Sequence, residues 1–238
     1  MLKGNSLKYI LTIVAAFLLL LLATSCVSEQ VADNEWDILM RKAVSLNQQA
    51  QYDSAVVVTR KAIEVAKKNV GADHPNVAQS LNYLASLYHD QGQYAQAEPL
   101  YKRSLAIIES ALGRDHPDVA TSLNNLASLY ATQGQYAQAE PLYKRSLAII
   151  ESALGPDHPD VATGLNNLAL LYATQGQYAQ AEPLYKRSLA IRESALGSDH
   201  PDVALSLENL ALLYRATKRD KEAEELELRA ATIRSIKR

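Results

Sequence analysis

A 42-residue unit that recurs in register constrains this chain more than any other feature. Residues 113–154 read GRDHPDVATSLNNLASLYATQGQYAQAEPLYKRSLAIIESAL, and residues 155–196 are identical to them at 38 of 42 positions. Residues 71–112 match the same unit at 36 of 42 positions. A fixed period of this length predicts a solenoid, because each unit can bury its apolar face only by stacking on its neighbours. Function is therefore expected on a surface.

Each half of the unit carries apolar residues at spacings of three and four, which predicts two amphipathic helices. In residues 113–154 these are Val119, Leu123, Leu126, Ala127 and Tyr130, then Ala139, Leu142, Tyr143, Leu147 and Ile150. Gln-Gly-Gln divides the halves, and a Gly-x-Asp-His-Pro segment divides the units. Glycine suits a helix end and proline suits a first helical turn, so each unit is predicted to be a helical hairpin.

The alanines, tyrosine and glycine of LNNLASLY…GQYAQAEPLY resemble those of the tetratricopeptide repeat. The 42-residue spacing and the LG-x-DHP-x-VA linker are similar to the kinesin light chain variety of that repeat, strongly over residues 71–217 and weakly over 36–70. The resemblance implies an all-α, right-handed superhelical solenoid of about five helical hairpins. It also implies a concave groove, lined mainly by the first helix of each hairpin, that binds extended peptides or partner helices.

The predicted repeat domain covers residues 35–238, with hairpins at about 35–70, 71–112, 113–154, 155–196 and 197–238. The two terminal hairpins are degenerate. Lys42 stands where the later units have leucine, and Lys218 replaces the glycine between the helices of a hairpin. Polar residues in these places suit end hairpins, which have a neighbour on one side only.

The N-terminus has the layout of a secretory signal peptide, predicted at residues 1–25. Lys3 and Lys8 precede an apolar run at 9–22, which is shorter than the roughly 20 residues of a spanning helix. Cys26, the only cysteine, follows directly after small residues. This stretch resembles a bacterial lipobox, which implies that Cys26 is acylated, for example with palmitate, and that residues 26–34 form a lipidated tether. An uncleaved signal anchor is the alternative.

The residue after Cys26 bears on the compartment. Val27 stands where an aspartate would, by resemblance to diderm lipoproteins, retain the protein at the inner membrane. The bacterial outer membrane, on its periplasmic face, is therefore favoured. An inner-membrane signal anchor that faces the periplasm is the alternative.

Composition and repetition exclude several classes of function. With 24 basic and 26 acidic side chains, the net charge of −2 leaves no basic excess for nucleic acid. Four histidines recur in Asp-His-Pro, but stacked helices lie ~8 to 10 Å apart, too far for a shared zinc, so these histidines are predicted to cap helices. Nearly interchangeable units offer no unique catalytic constellation. The sequence therefore predicts neither an enzyme nor a bound cofactor or metal.

Two rows of asparagines are the candidate groove residues, by the resemblance. Asn82, Asn124 and Asn166 share one position of the first helix, and Asn125, Asn167 and Asn209 share the next. An asparagine amide can both donate to and accept from a peptide backbone. For the second row, structural bonds to the neighbouring hairpin are an equal alternative.

The sequence thus predicts a membrane-anchored scaffold or adaptor that binds a partner polypeptide in its groove, which becomes more apolar toward the C-terminus. One alternative is a structural assembly factor for an envelope machine of the pilus or secretion type. Another is an accessory subunit of a separately encoded enzyme. The oligomeric state stays open.

Overall fold

The structure is a computed structural model and describes residues 35–236. Within that range the chain forms ten α-helices and no strand. They are α1 at 35–48, α2 Tyr52–Val70, α3 Pro75–Asp90, α4 Tyr94–Leu112, α5 Pro117–Thr132, α6 Tyr136–Leu154, α7 Pro159–Thr174, α8 Tyr178–Leu196, α9 Pro201–Ala216 and α10 Asp220–Ile236. The predicted all-α fold of about five helical hairpins is confirmed. The predicted signal peptide, Cys26 and the tether at 26–34 lie outside the described residues.

The helices divide into two compact units, with the boundary between Ile107 and Ile108, inside α4. In the first unit α2 packs on α3. In the second, α5 packs on α6, α7 on α8 and α9 on α10, while α6 contacts α7 and α8 contacts α9. Hairpins therefore stack on one another in chain order within the second unit. None of the helices in 35–236 is both long and apolar enough to cross a bilayer.

The recurring linker residues start the first helix of each hairpin. Nδ1 of His116, His158 and His200 accepts a hydrogen bond of 3.2 Å from the backbone N–H two residues later, and His74 does the same at 3.1 Å. A proline follows each histidine in the first helical turn. These bonds satisfy donors that a helix leaves unpaired at its N-terminus. The capping role predicted for the four histidines is confirmed.

The turns inside the hairpins require the left-handed backbone conformation. Gly134 and Gly176 adopt φ of 71° and 72° there. Lys218 occupies the equivalent turn of the last hairpin with φ of 62°, which a side chain makes less favourable. The terminal hairpin thus keeps the turn geometry of its neighbours without their glycine.

Leucine and alanine form the core between the helices of each hairpin. Leu123, Leu165 and Leu207, at one repeated position, are at most 1% exposed, and burial of each contributes roughly 1.5 to 3 kcal/mol. Three central hairpins also contain a buried serine in the second helix that donates to a first-helix carbonyl at 2.7 to 2.8 Å. These serines are Ser104, Ser146 and Ser188, and they bond Ala78, Ala120 and Ala162. A buried polar group is tolerated there because it is bonded.

Candidate protein-binding face

The exposed side of α5, α7 and α9 is the candidate binding face and is called the first-helix face below. Its residues recur at helical spacing on each of the three helices and are exposed or half-buried. They are Thr121, Asn125, Ser128 and Thr132 on α5, Thr163, Asn167, Leu170 and Thr174 on α7, and Leu205, Asn209 and Leu212 on α9. All three helices belong to the second compact unit.

The first-helix face changes from polar to apolar along the chain. At one repeated position Ser128 is half-buried, while Leu170 is 52% exposed and Leu212 is 67% exposed. At another, Thr163 on α7 is succeeded by Leu205 on α9, which is 44% exposed. Contiguous exposed apolar side chains often mark an interaction site.

The asparagines of the two rows bond to each other across successive hairpins. Asn167 Nδ2 donates to Asn124 Oδ1 at 2.9 Å, and Asn209 Nδ2 donates to Asn166 Oδ1 at 2.9 Å. Asn167 and Asn209 therefore have the structural role that was the alternative for the second row. Their bonding partners belong to the first row, which was predicted to serve the groove alone.

The hydrogen bonds between the asparagine amides leave part of each side chain available to a partner. Asn124, Asn167 and Asn209 are half-buried, whereas Asn166 is only 8% exposed. An amide has two donor hydrogens and an oxygen with two lone pairs, so one bond does not exhaust it. Asn82 and Asn125 are also half-buried. The role of all six in binding a partner stays a prediction.

A pocket of about 230 Å³ opens beside Asn167 on the first-helix face. Its wall includes Ser128, Tyr136, Tyr143, Asn167, Leu170 and Thr174. Burial raises the pKa of Tyr143, and a hydrogen bond with Ser128 opposes the rise, so the phenol is neutral at physiological pH. The pocket has the size and the largely apolar wall to hold a side chain of a bound polypeptide.

A second pocket, of about 210 Å³, lies where α7 stacks on the preceding hairpin. Its wall includes Thr121, Asn124, Leu147, Ile150, Asp160 and Gly164. Gly164 borders this pocket at a position where units 71–112, 113–154 and 197–238 have serine. A Cβ at Gly164 would lie 3.2 Å from Leu147 Cδ1.

The Lys-Arg pairs of the second helices have two different functions. Lys102, Lys144 and Lys186, each followed by an arginine, pair at 2.7 Å with the glutamates four residues earlier. The arginines instead reach a neighbouring hairpin, because Arg145 pairs with Glu109 and Arg187 with Glu151, both at 2.6 Å. Sequence reasoning missed these cross-hairpin pairs. The sequence carries no signal for them, because in a repeated sequence any two recurring positions keep a constant offset.

Glutamates near the start of the second helices also bond the next hairpin. Glu140 accepts from Tyr172 Oη at 2.9 Å, and Glu182 accepts from Tyr214 Oη at 3.3 Å. Lys144 and then Tyr172 lower the pKa of Glu140. For Glu182, Lys186 and then Arg219 lower the pKa, Arg219 lying 2.9 Å from the carboxylate. These carboxylates are thus ionised at neutral pH and hold adjacent hairpins together.

Surfaces of the second unit could bind a partner, but a metal site has the further requirement that several ligating side chains come together. In the described part of the chain no three His, Cys, Asp or Glu side chains come together in a way that could hold a metal ion. The Asp-His-Pro histidines are engaged at helix starts instead.

Comparison with known proteins agrees with this architecture. The sequence model described as Tetratricopeptide repeat matches residues 37–110, 77–152, 118–194 and 160–235. Similar solved structures include a kinesin light chain of Podosopora anserina with nearly identical TPR-like repeats, which is 28% identical with a TM-score of 0.71 and is matched over 85% of this chain and 96% of that one. No curated protein sequence matches the chain.

Two further structures share the fold at lower identity. BtubC (BKLC) of P. vanneervenii is 24% identical with a TM-score of 0.73, over 89% of this chain and 91% of that one. Pseudomonas aeruginosa pilF is 20% identical with a TM-score of 0.61, over 84% of this chain and 77% of that one. At these identities the likeness concerns the fold alone.

Proposed function

The chain belongs to the tetratricopeptide repeat family, and from that premise we propose that it is a membrane-anchored scaffold that binds a partner polypeptide on its first-helix face. Domains of this family bind protein partners and are generally not enzymes. The proposal specifies the face, the contacts and the membrane. It assigns the chain no chemical reaction and no nucleic acid.

The exposed leucines carry this proposal. Leu170 and Leu212 occupy equivalent positions on α7 and α9, at 52% and 67% exposure, where the otherwise similar unit 113–154 has Ser128. Neither leucine is needed to fill a core. Covering each with a partner would contribute up to roughly 1.5 to 3 kcal/mol to binding.

Polar groups beside the leucines suit the main chain of a bound segment. Asn124 and Asn167 can donate to and accept from peptide groups, and Thr163 and Thr174 add hydroxyls. The 230 Å³ pocket beside Tyr143 would take a side chain of that segment. Backbone contacts then supply affinity, and pockets supply selectivity, as in other modes of peptide recognition.

The proposed anchor is an acylated Cys26 at the end of the tether 26–34. Each buried methylene contributes ~0.8 kcal/mol, so one acyl chain holds only marginally and several hold firmly. Attachment to the bacterial outer membrane, on its periplasmic face, would raise the effective concentration of the scaffold near a membrane-bound partner. Cys26→Ser should move the protein from the membrane fraction to the soluble fraction, and retention at the membrane would favour the signal anchor instead.

Site-directed crosslinking tests the binding face. Photoreactive residues would replace Leu170 and Leu212 in the full chain in its native membrane, with matched exposed sites on second helices, Ala148 and Ala190, as controls. One polypeptide captured from 170 and 212 but not from 148 and 190 is the expected result. Capture from the second-helix sites alone would contradict the proposed face and favour an assembly role for the opposite surface.

Charge substitution gives the matching loss-of-function test. Leu170→Asp with Leu212→Asp should abolish capture of that polypeptide, because charged side chains would replace the apolar contact. Both side chains are exposed, so the fold should persist in circular dichroism. Ala148→Asp with Ala190→Asp should leave capture unchanged.

A further inference from the structure

Arg192 is a charged residue at a position of the second helices where the two preceding units have an apolar residue. It lies on α8 where the two preceding units have Ile108 and Ile150. In the structure Arg192 is only 7% exposed. A guanidinium at this depth is expected to have a carboxylate partner, because burial of an unpaired charge is costly.

The guanidinium of Arg192 is bonded on one side only. Its Nη1 donates to Ser206 Oγ at 2.6 Å and to the backbone oxygen of Asp202 at 3.3 Å, both on α9. The N–H groups of Nε and Nη2 have no acceptor within residues 35–236, and no carboxylate in that range lies within 4.0 Å of the group. Burial accordingly lowers the pKa of Arg192, while the more distant carboxylate of Asp202 opposes this shift.

The unbonded edge of Arg192 opens to solvent. Across the described residues, the fully buried side-chain nitrogens without a partner are those of Gln91 and Gln133, so Nε and Nη2 of Arg192 still contact water. The equivalent place one hairpin earlier is the 210 Å³ pocket lined by Ile150, Asn124 and Thr163. By repeat equivalence, Arg192 lies at the edge of the first-helix face next to Asn166 and Leu205.

We propose that Arg192 binds the carboxylate of an Asp or Glu side chain in the partner polypeptide. Nε and Nη2 form the edge of a guanidinium that holds a carboxylate by two parallel hydrogen bonds, and Nη1 is already fixed by α9. Asp202 does not occupy this edge, since its carboxylate lies 3.8 Å from His200 Nδ1. The inference rests on the proposed function and defines its ligand: an acidic residue beside apolar residues that cover Leu170, Leu205 and Leu212.

A random peptide library displayed with no free C-terminus tests this assignment, since only side-chain carboxylates can then be selected. The full chain would be compared with two variants. Arg192→Ile restores the residue of the two preceding units. Arg192→Lys keeps the positive charge but cannot form two parallel hydrogen bonds to one carboxylate. Peptides selected by the wild type should carry Asp or Glu at one fixed distance from an apolar residue. Changing that acid to its amide should weaken binding at least about 30-fold, as for the loss of one member of a buried charge pair.

The variants separate a binding role from a purely structural one. Arg192→Ile should still select the apolar residues but lose the acid, and Arg192→Lys should retain a weaker acid preference. Ile150→Arg with Gly164→Ser, which supplies the equivalent of Ser206, should create a second acid preference one hairpin earlier, and it decides the matter if Arg192→Ile does not fold. Equal acid enrichment by the wild type and Arg192→Ile would overturn the assignment.

The same selection distinguishes this inference from the function on which it rests. Wild-type selection of apolar peptides without any acid preference would overturn the role of Arg192 and leave the binding face standing. Selection of no peptide at all by the wild type would overturn both.

Discussion

Two stacking interfaces in the second unit, α6 with α7 and α8 with α9, show what the repeats hold constant. Beside each interface, a hydrogen bond of 2.9 Å joins the side-chain amides of successive first helices, from Asn167 on α7 to Asn124 on α5 and from Asn209 on α9 to Asn166 on α7. Each interface also has a tyrosine hydroxyl bonded to a glutamate of the hairpin before. The repeated sequence therefore reproduces the same pair of hydrogen bonds between successive hairpins, which is called the hairpin joint below.

The same two interfaces differ where their side chains approach the first-helix face. Between α6 and α7, Ile150 and Gly164 leave a pocket of about 210 Å³. Between α8 and α9, Arg192 bonds Ser206 in the equivalent place. Units 113–154 and 155–196 differ at four positions, and three of them bring Gly164, Leu170 and Arg192 to this region. Between these two units, the comparison teaches that three of the four sequence differences lie on the first-helix face or beside it.

The largest expected effect comes from removing one core leucine in each of the last two hairpins. Leu165→Ala and Leu207→Ala should each lower the free energy of unfolding by about 3 kcal/mol, because a buried side chain is lost and a cavity remains. In a stacked array, Leu207→Ala should speed hydrogen exchange in α9 and α10 only, whereas Leu165→Ala should speed it from α7 to α10. A uniform change throughout the second unit with Leu207→Ala would show that its hairpins do not unfold separately.

Gly164 and Ser206 occupy equivalent positions, so either single substitution, Gly164→Ser or Ser206→Gly, should make the two interfaces more alike. Gly164→Ser should raise the free energy of unfolding by about 0.5 kcal/mol, because glycine is unfavourable in a helix and Leu147 can move into the pocket. Ser206→Gly should lower it by about 1 to 2 kcal/mol, since it also removes the acceptor of Arg192. Chemical denaturation of both variants measures the difference. Destabilisation by Gly164→Ser would mean that Leu147 cannot shift.

The glutamates should make the second interface more sensitive to acid than the first. Glu182 is held by Lys186 and Arg219, whereas Glu140 is held by Lys144 and Tyr172. Because both folded-state pKa values are lowered, their stabilisation is present above the unfolded pKa of about 4.3 and is lost as pH falls through the folded value. At pH 7, Glu182→Gln should cost about 1 kcal/mol and Glu140→Gln about 0.5 kcal/mol.

Unfolding curves collected between neutral and acidic pH check this order. Glu182→Gln should flatten the loss of stability below the unfolded pKa more than Glu140→Gln does. Identical pH profiles for the two variants would indicate that Arg219 adds nothing to the hairpin joint.

The smallest effect concerns the turn inside the last hairpin. Lys218→Gly should raise the free energy of unfolding by about 0.5 kcal/mol, because φ of 62° suits glycine better than lysine. Gly176→Ala, at the equivalent turn of the preceding hairpin, should lower it by about 1 kcal/mol for the same reason. Thermal unfolding compares them, and a stability loss in Lys218→Gly would point to a contact of the lysine side chain instead.

The helices and their ends could be predicted because they depend on local sequence. Apolar spacing defined ten helices, glycine and proline defined the breaks, and Asp-His-Pro defined the caps that His116 and its equivalents form. These features repeat the same short-range physics in each unit. Near identity of the units made each inference apply several times over.

The partners in contacts between hairpins could not be identified from the sequence, since they depend on how far one helix is offset from the next. Asn167 meets Asn124, 43 residues earlier, rather than its own equivalent Asn125. Arg192 was visible only as a difference from Ile150, and its burial follows from the packing of α8 against α9. Side-chain direction across a helix interface is set by tertiary geometry, which the repeat period alone does not contain.

The hydrogen bonds that recur between successive hairpins also have a mechanical consequence. When tension reaches a chain held at one end and bound elsewhere, hairpin joints of similar strength give way one hairpin at a time. Each released hairpin of 42 residues adds about 140 to 150 Å of extended length. A stack of such units would lengthen in equal steps under load, and would absorb a pull on the chain without losing the whole fold.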